Sequence, residues 1–470
     1  MITVHNTDLM NAPFQGLEEI QQVYFIGIGG IGMSAVARFF HSKGIKVSGY
    51  DKTATVLTKD LEAEGITIHY EDNPDQVPDA DLVIYTPAIP ADMQELQYCR
   101  EKGMKVIKRS DVLQRITKSS FNICIAGTHG KTTITTMTAH LLRDSGFGCN
   151  AFLGGVSANY QTNFWSHERN VCVVEADEYD RSFLKLTPSV AVITSMDADH
   201  LDIYGDARAV EQAFIDFAGK LLPGGWLIAR QGLKHEAALK KQNYLSYGSA
   251  HSGAQAYAAN VVMREGGYDF DVVIGDRQIK NLRLNMGGGH NVENMTAAIA
   301  VAVLLGIADE AIKKAVSSFK GVKRRFEYIV RQNDVVYVDD YAHHPEELKA
   351  LTGGAFSLFS GCSNRLIFQP HLFSRTRDFA AEFAAVLDTA DEVWLLPVYP
   401  ARERPIPGVS SEMLQERMKN TKVKVMQKEQ VLKTLEAEKK SGSLPGLLIT
   451  AGAGDIDTLV QPIREILIKK

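Results

Sequence analysis

Two glycine-rich runs carry the residues of this chain best suited to holding phosphate. In "IAGTHGKTT" (Ile125–Thr133), Gly127, Gly130, Lys131 and Thr132 follow an apolar run and Thr133 continues into a helical stretch. The full pattern G-x-x-x-x-G-K-[ST] would place a further glycine where Ile125 stands. Backbone N–H groups at a helix N-terminus suit phosphate oxygens, the lysine adds a point charge, and a Thr132 hydroxyl can ligate Mg²⁺. The second run, "GIGGIGMS" (Gly27–Ser34), satisfies G-x-G-x-x-G through Gly27, Gly29 and Gly32, and Asp51 follows nineteen residues after Gly32. Read alone it is a dinucleotide site with Asp51 on a ribose hydroxyl. A nucleotide-linked substrate such as a UDP-sugar fits the same loop.

Acidic residues cluster where two apolar runs end. Glu175, Asp177 and Glu178 follow "VCVV", and Asp197, Asp199, His200 and Asp202 follow "VAVIT". Mg²⁺ takes oxygen ligands and retains waters, so carboxylates beside a phosphate loop suit it. Further along, "DDYAHHPEE" supplies Asp339, Asp340, His343 and His344, and "FQPHLFSRTRD" supplies His371, Arg375 and Arg377. Forked arginine hydrogen bonds recognise carboxylate or phosphate, and histidine takes up a proton near neutral pH. No regular His/Cys ligand set for zinc is present in these segments.

These residues need rigid elements behind them. "VYFIGIGG", "KVSGYD" and "ADLVIYTPAI" read as strands around the helix "MSAVARFFHSKG", and "DVLQRITKSS" closes a first block near Lys118. A second block restarts at "FNICIAG", runs through "VCVVEADEYD" and "SVAVITSMDADHLD", and contains an alternating region from Ala256 to Leu284. In a third block "VVYVDD", "RLIFQ", "EVWLLPVYP" and "GLLITAGAGD" are strands separated by helical stretches, and "KGVKRRF" is the basic connector before it. Alternating strands and helices imply α/β architecture with largely parallel sheets, which bind ligands beyond the carboxyl ends of the strands. The boundaries fall at 1–118, 119–324 and 325–470: a Rossmann-like N-terminal domain, a central P-loop ATPase-type domain and a Rossmann-like C-terminal domain.

A net charge of −5 argues against broad nucleic-acid binding, which leans on cationic surface. The five cysteines are scattered, with no C-x-x-C, as expected of buried thiols in a reducing compartment. No secretory signal is visible in "MITVHNTDLMNAPF", and the longest apolar stretch, Ala297–Ala308, is too short to cross a bilayer. A cytoplasmic protein with no membrane insertion, monomer or homodimer, is expected.

The ordered set "GIGGIGMS", "GTHGKTT", "EADEYD", "DADHLD", "GGGHNVENMTAA", "KRRFE", "DDYAHHP" and "FQPHLFSRTRD" resembles the Mur ligase family over nearly the whole chain. The family's loop is itself G-T-x-G-K-[ST], which accounts for Ile125. The resemblance implies an ATP- and Mg²⁺-dependent ligase acting on UDP-N-acetylmuramate and L-alanine. It implies ATP at Gly127, Thr128, His129, Gly130, Lys131, Thr132 and Thr133, with Asn291 and Asn294 on the adenine and Arg325 at the domain junction. Thr132, Glu175 and His200 match its Mg²⁺ positions. Gly29, Gly30, Gly32 and Asp51 would serve the UDP part of the substrate, and His344 and Arg375 the incoming amino acid. Lys131, Asp340, His343 and Arg375 would carry catalysis. ATP would convert the substrate carboxylate to an acyl phosphate, and an amine would then displace phosphate, with His343 a candidate proton acceptor.

The pattern also has departures. Leu372 and Phe373 stand where the family usually has Arg and Tyr, Tyr179 where serine is common and Ala342 where glycine is common. The segment "DARAVEQAFIDFAG" has no lysine where several relatives carry a carbamylated one. Three alternatives stay open: a recycling ligase that attaches a murein tripeptide to the same UDP-sugar, a nicotinamide-dependent oxidoreductase built on "GIGGIG" and Asp51, and a nucleotide-switched binding protein that turns over ATP independently of any carboxylate.

Overall fold

The computed structural model describes residues 8–12, 16, 19–197, 201–240, 243–249, 253–332, 334–401 and 403–469, except for the side chains of Leu201 and Asp202. The chain divides into two compact units. One comprises residues 1–261, 270–283 and 292–319, the other 262–269, 284–291 and 320–470.

The first unit contains a five-stranded sheet built from β1 (Gln22–Ile26), β2 (Lys46–Tyr50), β3 (Thr67–His69), β4 (Leu82–Tyr85) and β5 (Val106–Lys108), in the order β3-β2-β1-β4-β5. Every pairing is parallel. The central strand β1 is buried from Val23 to Ile26, as a strand covered on both faces must be. The second sheet comprises β6 (Phe121–Ala126), β7 (Asn150–Ser157), β8 (Thr162–Trp165), β9 (Val171–Glu175), β10 (Val190–Ile193), β11 (Trp226–Arg230), β12 (Tyr244–Ser249), β13 (Ala256–Arg264), β14 (Gly267–Ile274) and β15 (Arg277–Leu284). Their order is β15-β14-β13-β12-β11-β10-β6-β9-β7-β8. Pairings from β7 through β9, β6, β10, β11 and β12 to β13 are parallel. The strands β13, β14 and β15 are sheet neighbours joined by the short links 265–266 and 275–276, which only antiparallel hairpins allow.

One apolar core runs through both sheets of this unit. Phe39, on the helix Ile31–Ser42, lies 5.7 Å from Phe40, 5.4 Å from Phe152 on β7 and 6.1 Å from Phe164 on β8, measured between ring centroids. One turn of that helix also carries a partly buried polar lock. Arg38 makes paired hydrogen bonds to Glu64 (2.7 and 2.8 Å) and another to Asn163, whose amide donates to Ser34 Oγ at 2.9 Å. The helix that begins at the first glycine loop is thereby fastened to the sheet that carries the second.

The second unit is centred on a six-stranded sheet of β16 (Glu327–Arg331), β17 (Val336–Asp340), β18 (Asn364–Phe368), β19 (Glu392–Leu395), β20 (Val423–Val425) and β21 (Leu447–Ala451). The order is β16-β17-β21-β18-β19-β20, antiparallel only between β16 and β17. Trp394, Tyr337, Ile367 and Leu448 are fully buried in its core. The strands read from sequence in this block are β17, β18, β19 and β21. The edge strands β16 and β20, and the β7–β8 hairpin, carry weaker patterns and were not anticipated. No helix among the described residues is long and apolar enough to cross a membrane.

Phe39→Ala should lower the unfolding free energy of the first unit by about 3–5 kcal/mol, the usual loss for a buried Phe-to-Ala truncation. Urea unfolding followed by tryptophan fluorescence (Trp165 and Trp226 lie in this unit) checks it. An unchanged midpoint would contradict a core shared by the two sheets.

Candidate active site

The second glycine loop hangs between β6 and the helix Lys131–Asp144. Ile125 is an interior residue of β6, fully buried and paired with Val192 and Glu175 on the flanking strands. A glycine there would only weaken the strand. The turn itself begins at Gly127, with φ +139, where a Cβ would lie 1.9 Å from Thr194 Oγ1. Gly130, with φ +81, caps the helix.

Two residues at the end of β10 hold this loop in shape. The Thr194 hydroxyl donates to the His129 carbonyl. Ser195 Oγ accepts from the His129 N–H at 2.8 Å and lies 2.8 Å from Thr128 Oγ1. Sequence reasoning passed over Thr194 and Ser195, although a polar pair directly after "VAVI" was the available signal.

Lys131 Nζ donates to the Gly127 carbonyl at 2.7 Å and to Glu178 Oε1 at 2.8 Å. Glu178 is buried, and burial pushes its carboxyl up against the opposing pull of Lys131. The Thr132 hydroxyl donates to Glu175 Oε1 and the Gly154 N–H to Glu175 Oε2, each at 3.1 Å. A Cβ on Gly154 would come within 2.2 Å of that carboxylate, so the glycine makes room for it. Thr133 is buried in the helix, and Asn294 Oδ1 lies 3.3 Å from where a Cβ on Gly130 would be. Asn291 donates to the Gly287 carbonyl at 2.7 Å. His200 lies outside the described residues, as do Asp199 and the Asp202 side chain.

The structure does bring Thr132 and Glu175 together at the first turn of the loop helix. Mg²⁺ commonly binds through one or two carboxylates, waters and substrate phosphates, so this oxygen pair fits it. Among the described residues no group of three or more His, Cys, Asp or Glu is placed to hold a metal ion.

In the first glycine loop the Gly29 N–H donates to Asp51 Oδ2 at 2.8 Å, and Thr53 N–H donates to Oδ1 at 3.2 Å. Asp51 thus fixes the loop as well as ending its strand. Gly30 caps the helix Ile31–Ser42, and Gly32 lies in its first turn.

In the second unit, Asp340 at the end of β17 accepts from the Phe326 N–H (2.6 Å) and the Ala342 N–H (2.7 Å). Burial pushes its carboxyl up to about 6, against the pull of Arg325 and these N–H groups. Both oxygens are engaged on backbone, so Asp340 shapes the connector around Arg325. Arg324 and Phe326, on either side, have φ of +60 and +48, a strained region for non-glycine residues. His343 Nδ1 lies 2.8 Å from the Tyr341 carbonyl and 3.4 Å from Glu347 Oε2, and its ring meets that of His371 edge-on. Burial holds His343 below the ordinary histidine value; Glu347 opposes this, while Arg375 and Arg325 reinforce it. Arg375 Nη1 is buried without a hydrogen-bond partner among the described residues. His344 packs edge-on against Phe379. Leu372, at the start of the helix Phe373–Asp378, has φ +69.

A phosphate loop on a parallel sheet, a lysine and two carboxylates converging on it, and a second glycine loop in the same unit define a nucleotide-binding α/β protein of the P-loop class. Family models narrow this. "Mur ligase family, catalytic domain" matches residues 22–121, "Mur ligase middle domain" 125–302 and "Mur ligase, glutamate ligase domain" 324–454. The chain is 48% identical to the UDP-N-acetylmuramate–L-alanine ligase of Cytophaga hutchinsonii, over 95% of this chain and 97% of that one. It is 45% identical to the enzyme of the same name from Parabacteroides distasonis, over 97% and 99%. Among solved structures it superposes on the UDP-N-acetylmuramate-alanine ligase of Thermotoga maritima with a TM-score of 0.80, at 28% identity, covering 94% of this chain and 98% of that one. The chain belongs to the Mur ligase family, whose members are ATP-dependent, ADP-forming ligases.

The position of His343 has a direct readout. In an NMR titration its imidazole should remain mostly neutral at pH 6.5 and gain its proton at lower pH, because burial disfavours the charged ring. Glu347→Gln removes the main group opposing that effect and should lower the midpoint further. A midpoint at or above the ordinary histidine value of about 6.5 would contradict the geometry.

Proposed function

We propose that this chain joins the amine of L-alanine to the carboxylate of UDP-N-acetylmuramate, consuming ATP and releasing ADP and phosphate, in peptidoglycan precursor synthesis. The observation that carries this reading is the 48% identity to an L-alanine ligase across 95% of the chain. The site residues support the chemistry. A substrate carboxylate oxygen attacks the γ-phosphorus of ATP, ADP leaves, and the resulting acyl phosphate is attacked by the amine. A tetrahedral intermediate then expels phosphate, and the nitrogen loses a proton.

In this reading residues 1–118 hold the UDP-sugar, 119–324 ATP and 325–470 the amino acid. Lys131 and the N–H groups of Gly127–Thr133 stabilise charge on the transferring phosphoryl group, where positioning and electrostatics dominate. Asn291 and Asn294 are assigned to the adenine, and Arg325 to the nucleotide, on the family resemblance. Thr132 and Glu175, with His200, would hold Mg²⁺, which neutralises phosphate charge when bound. Gly29, Gly30, Gly32 and Asp51 form the UDP loop. Arg375, with a buried N–H left without an acceptor among the described residues, suits the amino-acid carboxylate, and His344 is assigned to the same substrate. His343, kept neutral by burial, suits the proton leaving the amine. A need for ATP supports a cytoplasmic location.

Phosphate release measured with Mg-ATP, UDP-N-acetylmuramate and single amino acids tests the reading. Release should require the UDP-sugar and be greatest with L-alanine. Release that needs a murein tripeptide would favour the recycling alternative, and release independent of the UDP-sugar would sink both. Lys131→Ala should reduce turnover about a hundredfold or more while UDP-N-acetylmuramate still binds. Loss of UDP-sugar binding would show that the two loops do not divide the labour as proposed.

A further inference from the structure

The third glycine of a dinucleotide loop ordinarily allows its helix to pack closely on the strand. Gly32 has a different neighbour. A Cβ built on it would lie 2.7 Å from Nη1 and 3.0 Å from Cζ of Arg109, so the missing side chain makes room for a guanidinium. Arg109 begins the helix Arg109–Lys118 after β5, and its side chain is 22% exposed. Among the described residues that guanidinium makes no hydrogen bond. Its nearest carboxylate oxygen is Asp177 Oδ2, at 4.0 Å, beyond hydrogen-bond distance.

The position of Arg109 is enforced from both sides. Lys185 Nζ bonds Asp111 Oδ1 at 2.5 Å and Ser110 Oγ at 3.2 Å, clamping the first turn of the arginine's helix against the segment that follows "EADEYD". Asp177 lies within "EADEYD" itself, one residue before the Lys131 partner Glu178. Arg109 therefore sits over the first turn of the glycine-loop helix, with donors unused. With its nitrogens open to solvent and not spent on acceptors among the described residues, this half-buried guanidinium is available to a carboxylate or phosphate in forked geometry.

We propose that Arg109 binds the diphosphate of the UDP-sugar. It would donate to the phosphate oxygens that the N–H groups at Gly30–Ser34 approach from the helix terminus. This rests on the functional reading above and adds to it a cation that neither loop motif supplies. A bare helix N-terminus neutralises only part of a diphosphate's charge; the guanidinium completes it. Gly32 is then required because any side chain would displace that group.

The test is direct binding by calorimetry of UDP-N-acetylmuramate, UDP and uridine to the full chain and to Arg109→Gln and Arg109→Lys. Loss of charge-assisted hydrogen bonds should weaken both diphosphates about ten- to a hundredfold in the Gln variant. Uridine should be unaffected, and the Lys variant should recover part of the loss. Unchanged affinity for both diphosphates would overturn the proposal. So would a loss confined to UDP-N-acetylmuramate, because that pattern assigns Arg109 to the sugar or its carboxylate. ATP affinity and the thermal midpoint should match the parent; a Gln variant that loses both is misfolded, and the Lys variant then decides. Failure of the parent chain to bind UDP-N-acetylmuramate would count against the functional reading instead.

Discussion

A phosphate-loop lysine must be held in place before any nucleotide arrives, and here Lys131 is held by the loop itself and by a neighbouring strand end. It donates to the Gly127 carbonyl, where the loop begins, and to the buried Glu178 carboxylate beyond β9. Removing one member of a buried ion pair typically costs about 3–5 kcal/mol, because the other charge is left uncompensated. The pair therefore pins the acidic end of β9 against the loop. Tyr204 adds a second anchor by donating to the Glu178 carbonyl at 2.6 Å. Glu175 is thereby kept beside Thr132, and the stretch from Glu175 to Glu178 brings Asp177 to within 4.0 Å of Arg109. Phosphate oxygens arriving at the loop compete with Glu178 for a lysine that is already oriented.

The same segment gives the two glycine loops different neighbours. At Gly127 the excluded Cβ would strike Thr194, so that loop closes on the sheet and presents its N–H groups outward. At Gly32 the excluded Cβ would strike a guanidinium, so that helix start carries an added positive charge. Both loops suit phosphate, but one is built around a lysine and hydroxyls and the other around an arginine. Such a difference fits one nucleotide that is cleaved and another that serves as a handle. The aromatic contacts of Phe39 and the Arg38–Glu64–Asn163 lock keep the two loops within one packed unit.

Much of this was legible in the sequence because the motifs sit at strand ends, where apolar runs stop abruptly. "VCVV" followed by acids and "FNICIAG" followed by Gly-Lys-Thr marked β9, β6 and the site together. Ile125 illustrates the limit of pattern matching: as a motif position it looks like a lost glycine, and as a residue of β6 it is where a β-branched side chain belongs. Gly154 was invisible as a site residue, and Thr194 and Ser195 showed only as a polar pair after "VAVI", because their contribution is made through backbone and carboxylate contacts from other strands. Arg109 stands some seventy-seven positions after Gly32, and no local spacing connects them. Asp51 and Asp340 were read as ligand-facing acids; both also spend their oxygens on backbone N–H groups, which only coordinates reveal.

The central claim is that ATP held on the second loop phosphorylates a carboxylate carried by a substrate anchored on the first. The most direct measurement uses UDP-N-acetylmuramate labelled with ¹⁸O in its carboxylate, turned over with Mg-ATP and L-alanine, with mass analysis of the released phosphate. Passage through an acyl phosphate transfers one carboxylate oxygen to phosphate for each amide formed, so the released phosphate should carry ¹⁸O in step with product. Amide formed with unlabelled phosphate would contradict the account.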